Sequence, residues 1–168
     1  MASQQAIIFD VSGTSCALRR NAVRELLPLP RLWRPPALPR PVAGFLNLSG
    51  KAVPVLRLNV LFGLDEGKAS QEAELYRHLI LVEALGRSGP CALLVDRVQD
   101  VVDLSGARLS PVSETDTLNG CVEAEIELKG RLVHLLSLER ILFAEEQQSL
   151  AELGRDAQNR LGEWAASA

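Results

Sequence analysis

Residues 43–64 read AGFLNLSGKAVPVLRLNVLFGL, and the fold turns on whether this stretch is a hairpin. It is mostly apolar with a small polar break in the middle. It holds no His, Cys, Asp or Glu, so it offers nothing that could move a proton or hold a metal. GFLNL and KAVPVLRL are β-like runs on either side of Ser49 and Gly50, and Gly50 accepts the positive φ of a tight turn. A hairpin is predicted. Pro54 cannot donate to a ladder, which suits an edge strand or a bulge rather than a sheet centre. NVLFG, residues 59–63, suits one helical turn ended by Gly63.

The flanking sequence has the same style. Ile7, Phe9 and Val11 alternate along a strand, SGTS turns, and CAL resumes. NAVRELL, residues 21–27, fits a helical turn or a strand; as a strand, Val23 and Glu25 share one face and Arg24 takes the other. Residues 28–41 hold six of the nine prolines, a stiff irregular connection whose Leu29, Leu32, Trp33 and Leu38 pin it to the β surface. DEGKASQEAE, residues 65–74, reads as an exposed loop. LYRHLILVEAL and GPCALLVDRVQDVVDL are strand-like and separated by the turn GRSG. NGCVEAEIEL, then Lys129 and Gly130, then RLVHLLSL read as a second hairpin with Glu125 and Glu127 on its wet face. Many short strands with turns between them mean small barrels or a sandwich, not a parallel α/β sheet.

From Ser137 onward the period changes. Leu138, Ile141, Leu142, Leu150, Leu153, Ala157, Leu161 and Trp164 fall at steps of three or four, the pattern of a helix leaning on the β part or on a partner. Gly154 and Gly162 weaken that helix by about 1 kcal/mol each relative to alanine.

Composition excludes several classes. Of 168 residues, 47% are apolar and 23% charged, enough to bury a core. The net charge of −3 opposes binding to a phosphate backbone, and 4% aromatics cannot build a base-stacking platform, so no nucleic-acid partner is expected. The start, MASQQAIIFDV, lacks the basic region and apolar run of a secretion signal. No run approaches the roughly 18 apolar residues of a spanning helix, so no direct membrane insertion is expected. Cys16, Cys91 and Cys121 are odd in number and lack CxxC spacing, which fits the reducing cytoplasm.

Chemistry is hard to find. His78 and His134 sit inside apolar strands, and a dyad of Cys91 or Cys121 with His134 has no local signature. Asp96, Asp100 and Asp103 would converge on a helix, but their β-branched surroundings extend and scatter them. No metal, cofactor or catalytic residue is expected, and GRSG lacks the lysine and helix start of a phosphate loop. What remains is surface: Gly44, Asn47, Ser49 and Gly50, with Val23, Glu25 and the valine-rich VDRVQDVV.

Taken in order, these segments resemble the chemotaxis coupling proteins of the CheW family. The family's "VREL" segment is matched by residues 23–26, its "GxxNLRGxxxPVxDL" stretch by GFLNLSGKAVPVLRL, and its "VDxVxDV" by residues 95–101. Its "LEKLL" is matched by LERIL at 138–142. The resemblance implies two small five-stranded β-barrels on a shared apolar core over residues 1–145, with a C-terminal helical extension at 146–168. It also implies a non-catalytic adaptor bridging the cytoplasmic tips of chemoreceptors and the regulatory domain of the histidine kinase CheA. Val23 and Glu25, with neighbouring Leu26, match partner-contact positions. Gly44, Asn47, Ser49 and Gly50 match the loop beside the receptor groove, and Val98 and Val101 match its second-barrel wall.

Two positions depart from the family: its arginine in "NLRG" is Ser49 here, and its aspartate in "PVVDL" is Arg57, which joins the expected contact set. Without that arginine, Glu25 is left solvated or paired elsewhere, with Arg24 or Arg57. Two other readings stand beside the leading one. One is a CheW-like adaptor of a non-flagellar pathway controlling pili or cyclic-dinucleotide synthesis; the other is a small thiol enzyme using Cys91 or Cys121 with His134. On the adaptor reading, Val23→Asp or Gly44→Trp weakens a contact and leaves the fold intact.

Overall fold

The structure, a computed structural model, describes residues 4–64, 77–83, 89–112 and 121–166. The loop read at 65–74, and the GRSG turn apart from Gly89, lie outside the described residues. The described strands are β1 (Gln5–Val11), β2 (Thr14–Arg19), β3 (Val23–Pro28), β4 (Val42–Leu48), β5 (Lys51–Arg57) and β6 (His78–Val82). They continue with β7 (Cys91–Val95), β8 (Arg97–Asp103), β9 (Arg108–Pro111), β10 (Val122–Leu128) and β11 (Arg131–Leu136).

These form two sheets, one in the order β8-β1-β2-β11-β10-β9 and one in the order β3-β6-β7-β5-β4. Pairing is antiparallel except for β11 with β2 and β5 with β7. The fold is mainly β, as read. Where two five-stranded barrels were expected, the sheets hold six and five strands, and no ladder among the described residues joins the ends of either.

Alternation explains the layering. In β1, Ile7, Phe9 and Val11 face a core shared by the two sheets, while Ala6 and Ile8 face a smaller cluster on the other side of the six-stranded sheet. In the five-stranded sheet Ile80 and Val82 join the shared core, while Leu79 and Leu81 join a third cluster with Val53, Val55 and Leu94. Each sheet is therefore buried on both faces over its centre, which is why the strands carry runs such as AIIF and HLILV rather than clean alternation.

The hairpin that decided the reading is present as β4 and β5. Ser49 (φ 52) and Gly50 (φ 89) are both left-handed, as a two-residue type I′ turn requires, and the Asn47 side chain accepts the Gly50 N–H at 2.9 Å. Pro54 was expected at an edge or bulge, yet β5 lies between β7 and β4. The proline is tolerated because the β7 ladder begins only at Val55, so its missing N–H faces a side with no ladder partner. The turn read at 59–63 is α1 (Leu58–Leu61), closed by Gly63 at φ 68. The proline-rich connection is pinned as read: Leu29 and Leu32 pack under the third cluster, Leu38 meets the shared core, and Trp33 bridges Phe45.

The tail forms α2 (Ala144–Ala166), begun by the Phe143 N–H donating to Glu146 Oε1 at 2.7 Å. Among its described side chains only Leu150 and Ala157 are buried. No described helix is long and apolar enough to cross a membrane.

Candidate docking surfaces

β3 is one of the two terminal strands of its sheet, β4 being the other, and carries the VREL segment. Its ladder with β6 slips between Val23 and Glu25: Val23 faces Val82, but Glu25 faces Leu81. Adjacent residues of β6 point to opposite faces, so this bulge also turns Val23 and Glu25 to opposite faces. That corrects the shared face expected from sequence. Val23, 5% exposed, is a shared-core residue, while Glu25 and Leu26 are presented to solvent, Leu26 at 39%.

β8 is one of the two terminal strands of the other sheet, opposite β9. Val101 faces Ile7 and Val98 faces Phe9, so both lie on the side of the shared core. Val98 is half-buried there, whereas Val101 is 44% exposed. Leu26 faces Ile80 and so takes the corresponding side of its own sheet. The His78 Nδ1 accepts the Val98 N–H at 3.3 Å, tying the end of β6 to β8. Leu26 and Val101 are therefore apolar side chains left open where two terminal strands rim the shared core. Single exposed apolar side chains are ordinary; each of these lies on the core-facing side of a terminal strand.

The hairpin residues have mixed roles. Asn47, Ser49 and Gly50 are exposed at the β4–β5 turn. Gly44 is buried, at φ 150, under the chain crossing at Leu32, Trp33 and Arg34. Arg57 does not reach out; its Nη1 donates to the Arg40 carbonyl at 2.7 Å and the Val42 carbonyl at 3.4 Å, clamping the proline-rich connection to β5. No ion pair holds Glu25 among the described residues. Nothing in the sequence pointed to Gln158, yet its amide grips the hairpin, with Oε1 accepting the Ala52 N–H and Nε2 donating to the Gly50 carbonyl.

The thiol reading meets a cavity of about 550 Å³ whose walls include Cys16, Cys121, His134, Glu125, Phe62 and Leu136. Burial pushes the Cys16 thiol up to about 12, helped by Asp10, and burial alone pushes Cys91 to about 12. Burial raises Cys121 as well. A thiol held protonated is a poor nucleophile. Stability from this source is complete below about pH 9, the unfolded value, and is lost as pH climbs towards about 12. Alkylation of Cys91 by iodoacetamide at pH 7.5 is expected to run at least about a hundredfold slower in the folded protein than in urea, read by intact mass against time. Equal rates would show an accessible thiolate.

The three acids of β8 and its start are each engaged locally: Asp96 accepts the Ser12 N–H, Asp100 the Val101 N–H, and Asp103 the Ser105 N–H. No group of three potential metal ligands occurs among the described residues.

The CheW-like domain family matches residues 5–146. The chain belongs to the CheW-like family. The chemotaxis protein CheW of Rhizobium meliloti is 27% identical over 152 residues, covering 87% of this chain and 92% of the relative. The chemotaxis protein CheW of Thermotoga maritima is 22% identical over 139 residues, covering 83% and 82%. The crystal structure of the scaffolding protein CheW from Thermoanaerobacter tengcongensis superposes with a TM-score of 0.72 at 22% identity, covering 86% of this chain and 90% of that one. The CheW-like match stops three residues into α2, so nearly all of that helix lies beyond it.

Proposed function

We propose that this CheW-like protein is a non-catalytic adaptor of the cytoplasm that couples the tips of chemoreceptors to the regulatory domain of a CheA-type histidine kinase. The observation that carries the reading is the open apolar rim of Leu26 and Val101 on the terminal strands β3 and β8. A receptor tip is helical, and an amphipathic helix seats its apolar face on such a rim. The exposed hairpin turn at Asn47, Ser49 and Gly50, at the other end of that sheet from β3, offers a separate polar contact. Residues 1–145 form the adaptor domain and the remainder its helical extension. Holding two partners on one rigid body raises the concentration of each for the other, which needs no bond chemistry. The neutral, buried thiols fit that absence of chemistry.

Ser49 favours a variation on this theme. The turn carries a hydroxyl where the family has a guanidinium, so a partner that pairs a carboxylate with that arginine is not matched here. A non-flagellar chemosensory pathway, with its own receptor and kinase, is the second reading.

The test is calorimetric titration of the purified protein with the cognate kinase regulatory domain and with a receptor-tip fragment. Leu26→Arg and Val101→Arg are each expected to weaken one of these complexes about tenfold or more, with the melting temperature unchanged. A parent protein that binds neither partner would overturn the adaptor reading.

A further inference from the structure

The Gly50 peptide is held at both ends by side-chain amides from different parts of the chain. Asn47 Oδ1 accepts its N–H at 2.9 Å, and Gln158 Nε2 donates to its carbonyl at 3.1 Å. Gln158 Oε1 also accepts the Ala52 N–H at 2.9 Å. That N–H points to the side where the β7 ladder has not yet begun. A primary amide is a side-chain copy of a peptide group, so Gln158 supplies the one donor and one acceptor that a neighbouring strand would have supplied. Two residues on, the Arg160 guanidinium lies 5.8 Å from the centroid of Trp33, whose backbone bridges Phe45 of β4. The distal half of α2 thus grips β5 through Gln158 and β4 through Trp33.

The grip is light. Beyond Gly154 the only buried side chain among those described is Ala157. A groove of about 510 Å³ remains between the hairpin and the helix, walled by Lys51, Val53, Pro54, Ala151, Gly154 and Arg155. Gly154 and Gly162 each have open space where a Cβ would sit, so nothing in the packing demands a glycine at either place. A helix end with few buried contacts is drawn from the low-stability end of a fold and opens locally.

We propose that Gln158 is a positioning residue, and that the distal half of α2 is a latch that fixes the β4–β5 turn in the form its partner binds. This rests on the adaptor function given above. Ser49 holds a left-handed φ of 52, a conformation a serine adopts reluctantly; the tight turn itself imposes it, as at Ser12 and Lys129, and the Gln158 bonds to Gly50 and Ala52 add to that restraint. The latch adds its restraint from outside the family-matched region, so the partner meets a turn that needs no further ordering.

Two readouts test this on the full chain. Amide exchange followed by NMR reports the latch directly, because the Ala52 N–H is its bonded donor. Gln158→Ala is expected to speed Ala52 exchange about tenfold while amides of β1 and β2 stay unchanged, and the double change Gly154→Ala with Gly162→Ala to slow it about fivefold or more. Binding to the kinase regulatory domain and the receptor-tip fragment is the second readout. Gln158→Ala is expected to weaken the complex that uses the turn about three- to tenfold at unchanged melting temperature. Gln158→Glu, which keeps the acceptor for Ala52 and loses the donor to Gly50, is expected to fall between. Unchanged Ala52 exchange overturns the latch. Faster exchange with unchanged or tighter binding overturns its positioning role, the tighter case making α2 a cover over the turn. A parent that binds neither partner removes the adaptor reading and the latch's role together, an outcome distinct from a Gln158 variant that binds like a competent parent.

Discussion

Gly44→Ala is expected to destabilise the protein by about 3 kcal/mol, and Gly44→Trp to prevent folding. A Cβ at this position would lie 2.7 Å from the Trp33 carbonyl oxygen, 3.1 Å from Arg34 Cγ and 3.1 Å from Leu32 Cβ. The first of these is backbone, fixed by the paired hydrogen bonds between Trp33 and Phe45 at 2.8 and 2.9 Å, so it has no cheap way to retreat. The φ of 150 adds strain for any side chain. Urea unfolding of Gly44→Ala beside Gly106→Ala makes the comparison, since Gly106 has open space and no unusual φ and its change should stay within about 0.5 kcal/mol. Equal stability of the two would mean that the connection does not cross β4 as described. The family resemblance places Gly44 in the loop beside a receptor groove, and the structure buries it beneath Leu32, Trp33 and Arg34. The neighbour it serves is the chain's own proline-rich connection.

The same division runs through the rest of the molecule. Strand positions, the three tight turns and the pinning of residues 28–41 are legible because each depends on local chemistry: period-two apolar residues, Ser12 and Gly13 (φ 47 and 83), Ser49 and Gly50, Lys129 and Gly130 (φ 46 and 80), and leucines spaced among prolines. What is not legible depends on register between distant strands. Pro54 reads as an edge residue until β7 is seen to stop one residue short of it. Arg57 reads as a contact residue or a partner for Glu25 until its guanidinium is found on carbonyls 15 and 17 residues earlier. Gln158 sits on the polar side of a helix, where no periodicity separates it from its neighbours, and only the docking of α2 on β5 gives it a role. The candidate surface is split in the same way: Leu26 and Val101 are open to a partner, while Val23 and Gly44, chosen from the same motifs, pack inward.

Val23→Asp is expected to unfold the protein at neutral pH, a loss above about 4 kcal/mol from a total of about 5 to 15. Val23 lies opposite Val82 in the cluster that both sheets share, with Leu56, Leu93 and Leu136 in the same cluster and no buried polar residue among those described. A carboxylate there is taken out of water into an apolar cluster, and burial would raise its pKa, so the chain must either unfold or protonate the group. The charged form is the penalised one, so lowering the pH through that raised pKa should recover part of the loss, whereas the parent gains nothing from the same step at this site. Glu25→Ala, two residues along but turned outward by the bulge, should stay within about 0.5 kcal/mol of the parent. Circular dichroism melts of the two variants at pH 7 and pH 5 decide the matter. A Val23→Asp protein that melts like the parent and binds partners weakly would place Val23 at the surface, dissolve the bulge, and return Val23 and Glu25 to one face. A variant that fails to fold while Glu25→Ala folds normally fixes the bulge as the device that separates what β3 buries from what it shows.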